Sequence, residues 1–497
     1  MWSCYVIILS LLSIAANAQS DDKSVIIIGA GLSGYATARG LIEKGFTDIK
    51  ILEALGRTGG RIYSVPFSDG FVDLGAQWCH GQTGNIIYEM TSPHFTFGST
   101  AFETVDPYFR LSNGILPEQD LYVALYGAGY KIIHGIDKGV APNVPFGELF
   151  MQKFNALLAT TYPDADPEVV KLVKAELVKQ VMGFFAANSW NDISPTVNYE
   201  EEKATGDQHC TWKKQGFHTF FNYLTKKAPN PAENLNIDAK VILNKVVTNI
   251  QYNKNDANSK VTVTCADDTK YTASHVVFTP SLGYLKAHYK TLFTPALDAT
   301  DPKAIEIESR GVGNLGKFFM QFSNPFWALG TDPFLGIEGM WLEEDKQTAI
   351  RDGREWLLGI VAVYAVDNFP DILEVFLAGD YVRTFENTDN EKIIADVTWW
   401  LETFAPYMKP VPRPLAVQKT KWMTNEFFLG SYSYPSMAEE RNKVRTSHLA
   451  APIVNVDTKP IVLFAGEATD SKYPSMAHGA VNSGFRAAKE IVNYYLP

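Results

Sequence analysis

The residues whose types and spacing most plainly imply chemistry sit near position 30. Gly29-Ala30-Gly31-Leu32-Ser33-Gly34 is a G-x-G-x-x-G. A Cβ at its three glycines would block, in turn, a tight turn, the approach of a pyrophosphate and the packing of a helix on a strand. Glu53 follows Gly34 by 19 residues, where a carboxylate accepts hydrogen bonds from the ribose of an adenine dinucleotide and disfavours a 2′-phosphate. That spacing favours FAD or NAD over NADP. The elements that must position these residues are legible around them. Residues 24–28 are a continuous apolar run suited to a buried parallel strand, a helical stretch continues to about residue 44, and Ile49-Lys50-Ile51-Leu52-Glu53 reads as a second strand. The helix N-terminus adds N–H groups and a positive dipole end for the phosphates.

Just beyond, Gly56-Arg57-Thr58-Gly59-Gly60-Arg61 sets small residues beside two guanidinium groups, where backbone and arginine can both approach a pyrophosphate. Residues 71–78 read as a strand ending in Gly75, Ala76, Gln77 and Trp78, small enough in its middle for a flat ring to come close. This combination resembles the flavin-dependent amine oxidases, in which G-G-R and G-A-x-W elements flank FAD. The resemblance implies FAD contacts from Arg61, Gly75, Ala76, Gln77 and Trp78. It continues in Gly466-Glu467-Ala468-Thr469, the family's G-E-x-T, and in Ala477-His478-Gly479-Ala480-Val481-Asn482-Ser483-Gly484, which opens a helix ending near Tyr495. A second helix N-terminus there favours the negative charge that reduction places on a flavin. Stretches 240–252, 260–266 and 271–278 read as a β-meander, and the family places the backbone near Val247 beside the adenine.

Within the family the likeness is closest to animal spermine and acetylpolyamine oxidases, carried by Gln77-Trp78-Cys79-His80-Gly81 and Ala477-His478-Gly479-Ala480. By resemblance, His80 hydrogen-bonds a substrate amine. Lys317, a lone cation in the apolar Gly313–Phe322 stretch, holds a water against the flavin, and burial would lower its pKa. Trp422 faces the ring, and Ser431 stands where monoamine oxidases carry a flavin-bonded Cys, so FAD is expected to be noncovalent. Tyr432 is expected as one wall of an aromatic slot for a cationic amine. Met476 replaces the opposite tyrosine of the monoamine enzymes, which suits a long thin substrate. Asp192 and Ser194 fall where polyamine enzymes keep groups for the distal amine.

The chain has 497 residues, 46% of them hydrophobic and 13% aromatic, which excludes wholesale disorder and supplies a large core. No metal-ligand spacing occurs among its nine His and four Cys. A net charge of −11 without a basic cluster argues against nucleic acid and is compatible with a cationic ligand. The expected fold is α/β and two-lobed: a Rossmann-like FAD domain from residues 22–90, 212–300 and 410–497, with an α+β substrate domain inserted as 91–211 and 301–409. Residues 1–18 read as a signal peptide with a small-residue cut after Ala18, implying secretion, with a signal-anchored form or retention in the secretory pathway as the alternative. No stretch promises stable membrane insertion. The expected reaction is oxidation of a polyamine (spermine, spermidine or an acetylated derivative) to an imine, then an aldehyde and a shorter amine, with O2 reduced to H2O2. An L-amino-acid oxidase and a non-catalytic flavin-binding protein are the alternatives.

Overall fold

The computed structural model describes residues 22–100, 108–115, 119–136, 143–195, 204–329 and 333–496. The signal-peptide stretch lies outside them.

The strand Val25–Ile28 is buried at every position and pairs in parallel with Ile49–Leu52 on one side and His275–Phe278 on the other. The central sheet runs in the order 453–454, 460–464, 275–278, 25–28, 49–52, 241–242, parallel except at its first pair. Both faces of such a sheet must be covered, which explains strands that read as unbroken apolar runs. The helix Leu32–Ile42 and the C-terminal helix Ala477–Tyr495 pack against each other over one face. Their contact is close: a Cβ on Gly484 would stand 2.3 Å from the Ser33 carbonyl oxygen, and the Ser33 hydroxyl donates to the Ala480 carbonyl. A four-stranded sheet, 270–273, 261–265, 247–251 and 293–294, supports the other face.

The meander differs from the sequence reading in one respect. Residues 271–278 do not form a single strand: Lys270–Ala273 pairs with Val261–Cys265, whereas His275–Phe278 joins the central sheet. Ser274 is the crossing point, with its N–H on the Ser24 hydroxyl.

A second six-stranded sheet runs in the order 416–419, 315–321, 372–378, 360–365, 336–340, 108–111. One of its faces packs Phe318, Met320, Val363, Leu373, Val375 and Leu377 into an apolar core with helix Asn390–Phe404. The sheets redraw the expected domain limits. Ala416–Lys419 pairs with Leu315–Gln321 although it lies within 410–497. Conversely, Ala304 and Ile307 of helix Pro302–Ser309 pack with the central sheet's core.

Candidate active site

The first helix is positioned at its N-terminus by glycine geometry. Gly29 takes φ +102°, and a Cβ there would stand 2.4 Å from the Thr279 hydroxyl oxygen. Gly34 brings the helix so near the turn that a Cβ would lie 2.1 Å from the Gly29 carbonyl oxygen. Gly31 differs: the nearest atom to its Cβ position is 3.9 Å away, so a Cβ there would make ordinary contact with the Gly59-Gly60 backbone and no clash. Glu53 is buried, its oxygens accepting from the N–H groups of Ala30 at 2.7 Å and Leu55 at 2.9 Å. Burial pushes its carboxyl up, opposed by those two N–H groups. Arg61 donates to the Ser431 carbonyl at 2.7 Å and to Glu467 at 2.9 Å, and Glu467 also accepts from the Ser433 hydroxyl and the Ser475 N–H. Arg61, Phe278, Pro280, Gly466 and Glu467 line part of a small pocket at the ends of the central strands. Met476, in extended backbone, precedes helix Ala477–Tyr495 and brings that helix N-terminus to the same end of the fold as Leu32. Val247 is buried in the supporting sheet, its carbonyl accepting from Tyr284.

The face of the second sheet opposite its apolar core carries a different chemistry. Lys317 pairs with Phe376, Phe319 with Glu374, and Tyr364 with Glu374, and alternation puts all five side chains on one face. Lys317 is 4% exposed. Its Nζ donates to the carbonyls of Asp73 at 3.1 Å and Gly75 at 2.9 Å and to Gln77 Oε1 at 2.5 Å. Nζ also lies 3.7 Å from Glu374 and 5.6 Å from the Trp78 ring centroid. Burial lowers its pKa, while Glu374 and Asp73 oppose that shift. Three acceptors around one nitrogen match the three donors of an ammonium, so the geometry favours the charged form. The strand 315–321 thus ties Lys317 to segment 73–78. A Cβ on Gly75 would meet the Arg61 carbonyl oxygen at 1.8 Å, and the Ala76 N–H bonds that same oxygen. Trp422 is buried beside this segment, its indole N–H on the Leu74 carbonyl at 2.9 Å.

Trp78 is the hub of the rim. Its ring centroid lies 5.5 Å from His209, 6.4 Å from His80 and Tyr364, and 6.5 Å from Phe376. His80 Nδ1 bonds the Gln208 carbonyl at 2.6 Å. A carbonyl only accepts, so Nδ1 carries the proton of that bond. Tyr432 packs with Leu315, Val361 and Ala378, and its hydroxyl donates to the carbonyls of Gly183 and Phe184 at the end of helix 167–185. Ser431 donates to the Gly313 carbonyl.

Ser194 is not brought to this rim. It is 1% exposed and its hydroxyl donates to Glu440 at 2.8 Å, so its assignment to the substrate is corrected: the hydroxyl is spent on a buried carboxylate. Asp192 is exposed. Glu374, Tyr364, Phe376 and His209 are the site residues that sequence reasoning missed. Glu374 carried a signal, a lone acid in the apolar strand ILEVFLA; the two aromatics read as ordinary strand residues.

The profile of the flavin containing amine oxidoreductases matches residues 32–93 and 161–492. The chain belongs to that family. Among similar proteins, human peroxisomal N(1)-acetyl-spermine/spermidine oxidase is 24% identical, over 95% of each chain. Maize polyamine oxidase 1 is 26% identical over 98% of this chain and 93% of its own. A putrescine oxidase double variant has the same fold, with a TM-score of 0.67 at 15% identity over 95% of this chain and 99% of that one. This flavin amine oxidase is therefore an FAD-dependent enzyme of α/β fold. Its residues fit the cofactor: Gly31 leaves the helix N-terminus bare of a Cβ that the fold itself would accept without clash, as a pyrophosphate approach requires, and the buried Glu53 carboxylate has lone pairs beyond the Ala30 and Leu55 N–H groups. The relatives also correct the expected location. The human and bovine oxidases are named as peroxisomal, and secretion is not supported. Among the described residues no helix is long and apolar enough to cross a membrane.

Proposed function

We propose that this amine oxidase acts on a polyamine, releasing an aldehyde and a shorter amine, with O2 as electron acceptor. Bound FAD supplies the two-electron oxidation of the C–N bond. The rest is work for the chain's own residues. Gly29–Gly34, Glu53, Arg61 and the helix that follows Met476 hold the cofactor, with Gly75, Ala76, Gln77, Trp78, Trp422, Gly466, Glu467 and Ala477 around its ring end and Val247 on its adenine side. Ser431 has no thiol with which to form a thioether, so the cofactor is held noncovalently. Lys317 holds a proton at Nζ beside the ring. Trp78, Phe376 and Tyr432 give a cationic chain an apolar, π-rich wall and exclude water.

The observation that carries the substrate class is the ring cluster around Trp78, with His209, His80, Tyr364 and Phe376 all within 6.5 Å of its centroid, a π-rich wall suited to a cationic amine chain. The nearby Arg61 is already held by Glu467 and the Ser431 carbonyl. Both features favour an amine over an amino acid. Anaerobic mixing with a panel of polyamines, monoamines and amino acids, read as loss of oxidised-flavin absorbance, tests this. Bleaching by polyamines alone is expected; bleaching by amino acids but no polyamine overturns it.

A further inference from the structure

The strand Leu315–Gln321 carries one cation and the neighbouring strand Ile372–Ala378 one anion, each otherwise surrounded by apolar residues. Lys317 is 4% and Glu374 0% exposed. They are diagonal neighbours on the sheet face toward Gln77 and Trp78, with 3.7 Å between Nζ and Oε1. The Gln77 amide bridges them: Lys317 Nζ donates to its Oε1 at 2.5 Å, and its Nε2 donates to Glu374 Oε2 at 2.9 Å. Such an amide has only one workable orientation, because the reverse would set donor against donor at Lys317 and acceptor against acceptor at Glu374. Tyr364 stands directly across the ladder from Glu374, on the same face of the sheet. A buried carboxylate of this kind is expensive unless paired, and nothing in the flavin cradle itself requires it.

We propose that Glu374 is a positioning residue for the amine-oxidising site: its carboxylate is the counter-charge of Lys317 and, through Gln77, fixes where the Lys317 ammonium points. The inference rests on the reading of Lys317 as a site residue. The other groups facing Lys317 do not replace Glu374. Asp73 offers Lys317 its backbone carbonyl, while its carboxyl is turned to the Ser64 hydroxyl and the Phe217 N–H and is pushed up by burial to about 6. Tyr364 is a neutral donor whose hydroxyl burial pushes far up. His80 and His209 lie beyond the Trp78 ring. Lys419, on the adjoining strand, pairs with Phe318 and so shares the opposite face, where it bonds the Glu386 and Thr388 carbonyls.

The test uses the FAD-loaded protein carrying 13C at lysine Cε. The resonance that Lys317→Met removes belongs to Lys317, and its pH titration reads that amine with no substrate present. In Glu374→Gln the midpoint is expected to fall by about 1–3 pH units, the usual effect of losing an opposite charge within a few ångströms. Coincident midpoints in wild type and Glu374→Gln overturn the proposal. The pH profile of amine turnover, taken in parallel, should move with the resonance. Absence of turnover on every amine defeats the functional reading alone, because the resonance still reports on the pair. If Glu374→Gln does not accumulate folded, the Lys317→Met/Glu374→Gln double variant decides. Recovery of folded, FAD-loaded protein supports the pairing, and a double variant no better than the single one overturns it.

Discussion

Alanine at Gly31 and at Gly34 separates what the fold needs from what the cofactor needs. At Gly34 the added Cβ would lie 2.1 Å from the Gly29 carbonyl oxygen. Carbon and oxygen rest at about 3.3 Å, so helix Leu32–Ile42 must retreat by roughly 1 Å. Overpacking of this sort costs about 1–3 kcal/mol, and contact between two backbone segments puts it at the upper end. Replacing a helical glycine returns up to ~1 kcal/mol, leaving a net loss of about 2 kcal/mol. At Gly31, φ −86° and ψ −173° are open to alanine, and no atom comes nearer than 3.9 Å. The stability loss there should stay under about 1 kcal/mol, the difference between glycine and alanine at a helix N-cap. The methyl group would instead occupy the pyrophosphate's approach, and the same overpacking borne by the ligand weakens FAD about 10- to 100-fold. Urea unfolding of the apoproteins and calorimetric titration with FAD give the two quantities separately. Wild-type FAD affinity with alanine at 31, or an apoprotein at least as stable as wild type with alanine at 34, would refute the reasoning.

Tyr432→Phe removes a hydroxyl that caps the Gly183 and Phe184 carbonyls but keeps the ring. Stability should fall by about 1 kcal/mol with amine KM nearly unchanged, whereas Tyr432→Leu should raise KM. Arg310 is 1% exposed and pairs with Glu439 at 3.0 Å, so Arg310→Met strands a buried carboxylate and should cost about 3–5 kcal/mol in denaturant titration. Burial depresses His275 from 6.5 to about 4 and His478 to about 3. The unfolded chain therefore binds more protons below pH 6.5, and stability must fall as the pH falls toward those values. At pH 5 each ring should have lost about 2 kcal/mol relative to pH 6.5; His478→Gln should remove its share, and an unchanged acid slope would count against it. Polyamine turnover should rise from pH 6 to 9 as one substrate nitrogen loses its proton, and a flat profile would contradict oxidation of the neutral amine.

The cofactor end was legible because its chemistry is local. The glycines, the strands at 25–28 and 49–52 and Glu53 lie within thirty-odd residues, and backbone geometry alone dictates their spacing. The boundary at Ser274 was not, because the chain changes sheets there without a glycine, a proline or a break in β-propensity. Ser194 failed for a related reason: nothing near it in the sequence says that its hydroxyl will meet Glu440, 246 residues on. Glu374 lies between these cases. Its strand is visibly apolar and its charge visibly alone, as with Lys317 in the strand Leu315–Gln321, but each taken separately fits an edge strand or a side chain reaching for water. Only the register makes them neighbours. A buried charge with no partner in its own segment demands one elsewhere, so two solitary charges of opposite sign in two apolar strands already point to each other. The sheet supplies the missing step by setting Lys317 against Phe376 and Glu374 against Phe319.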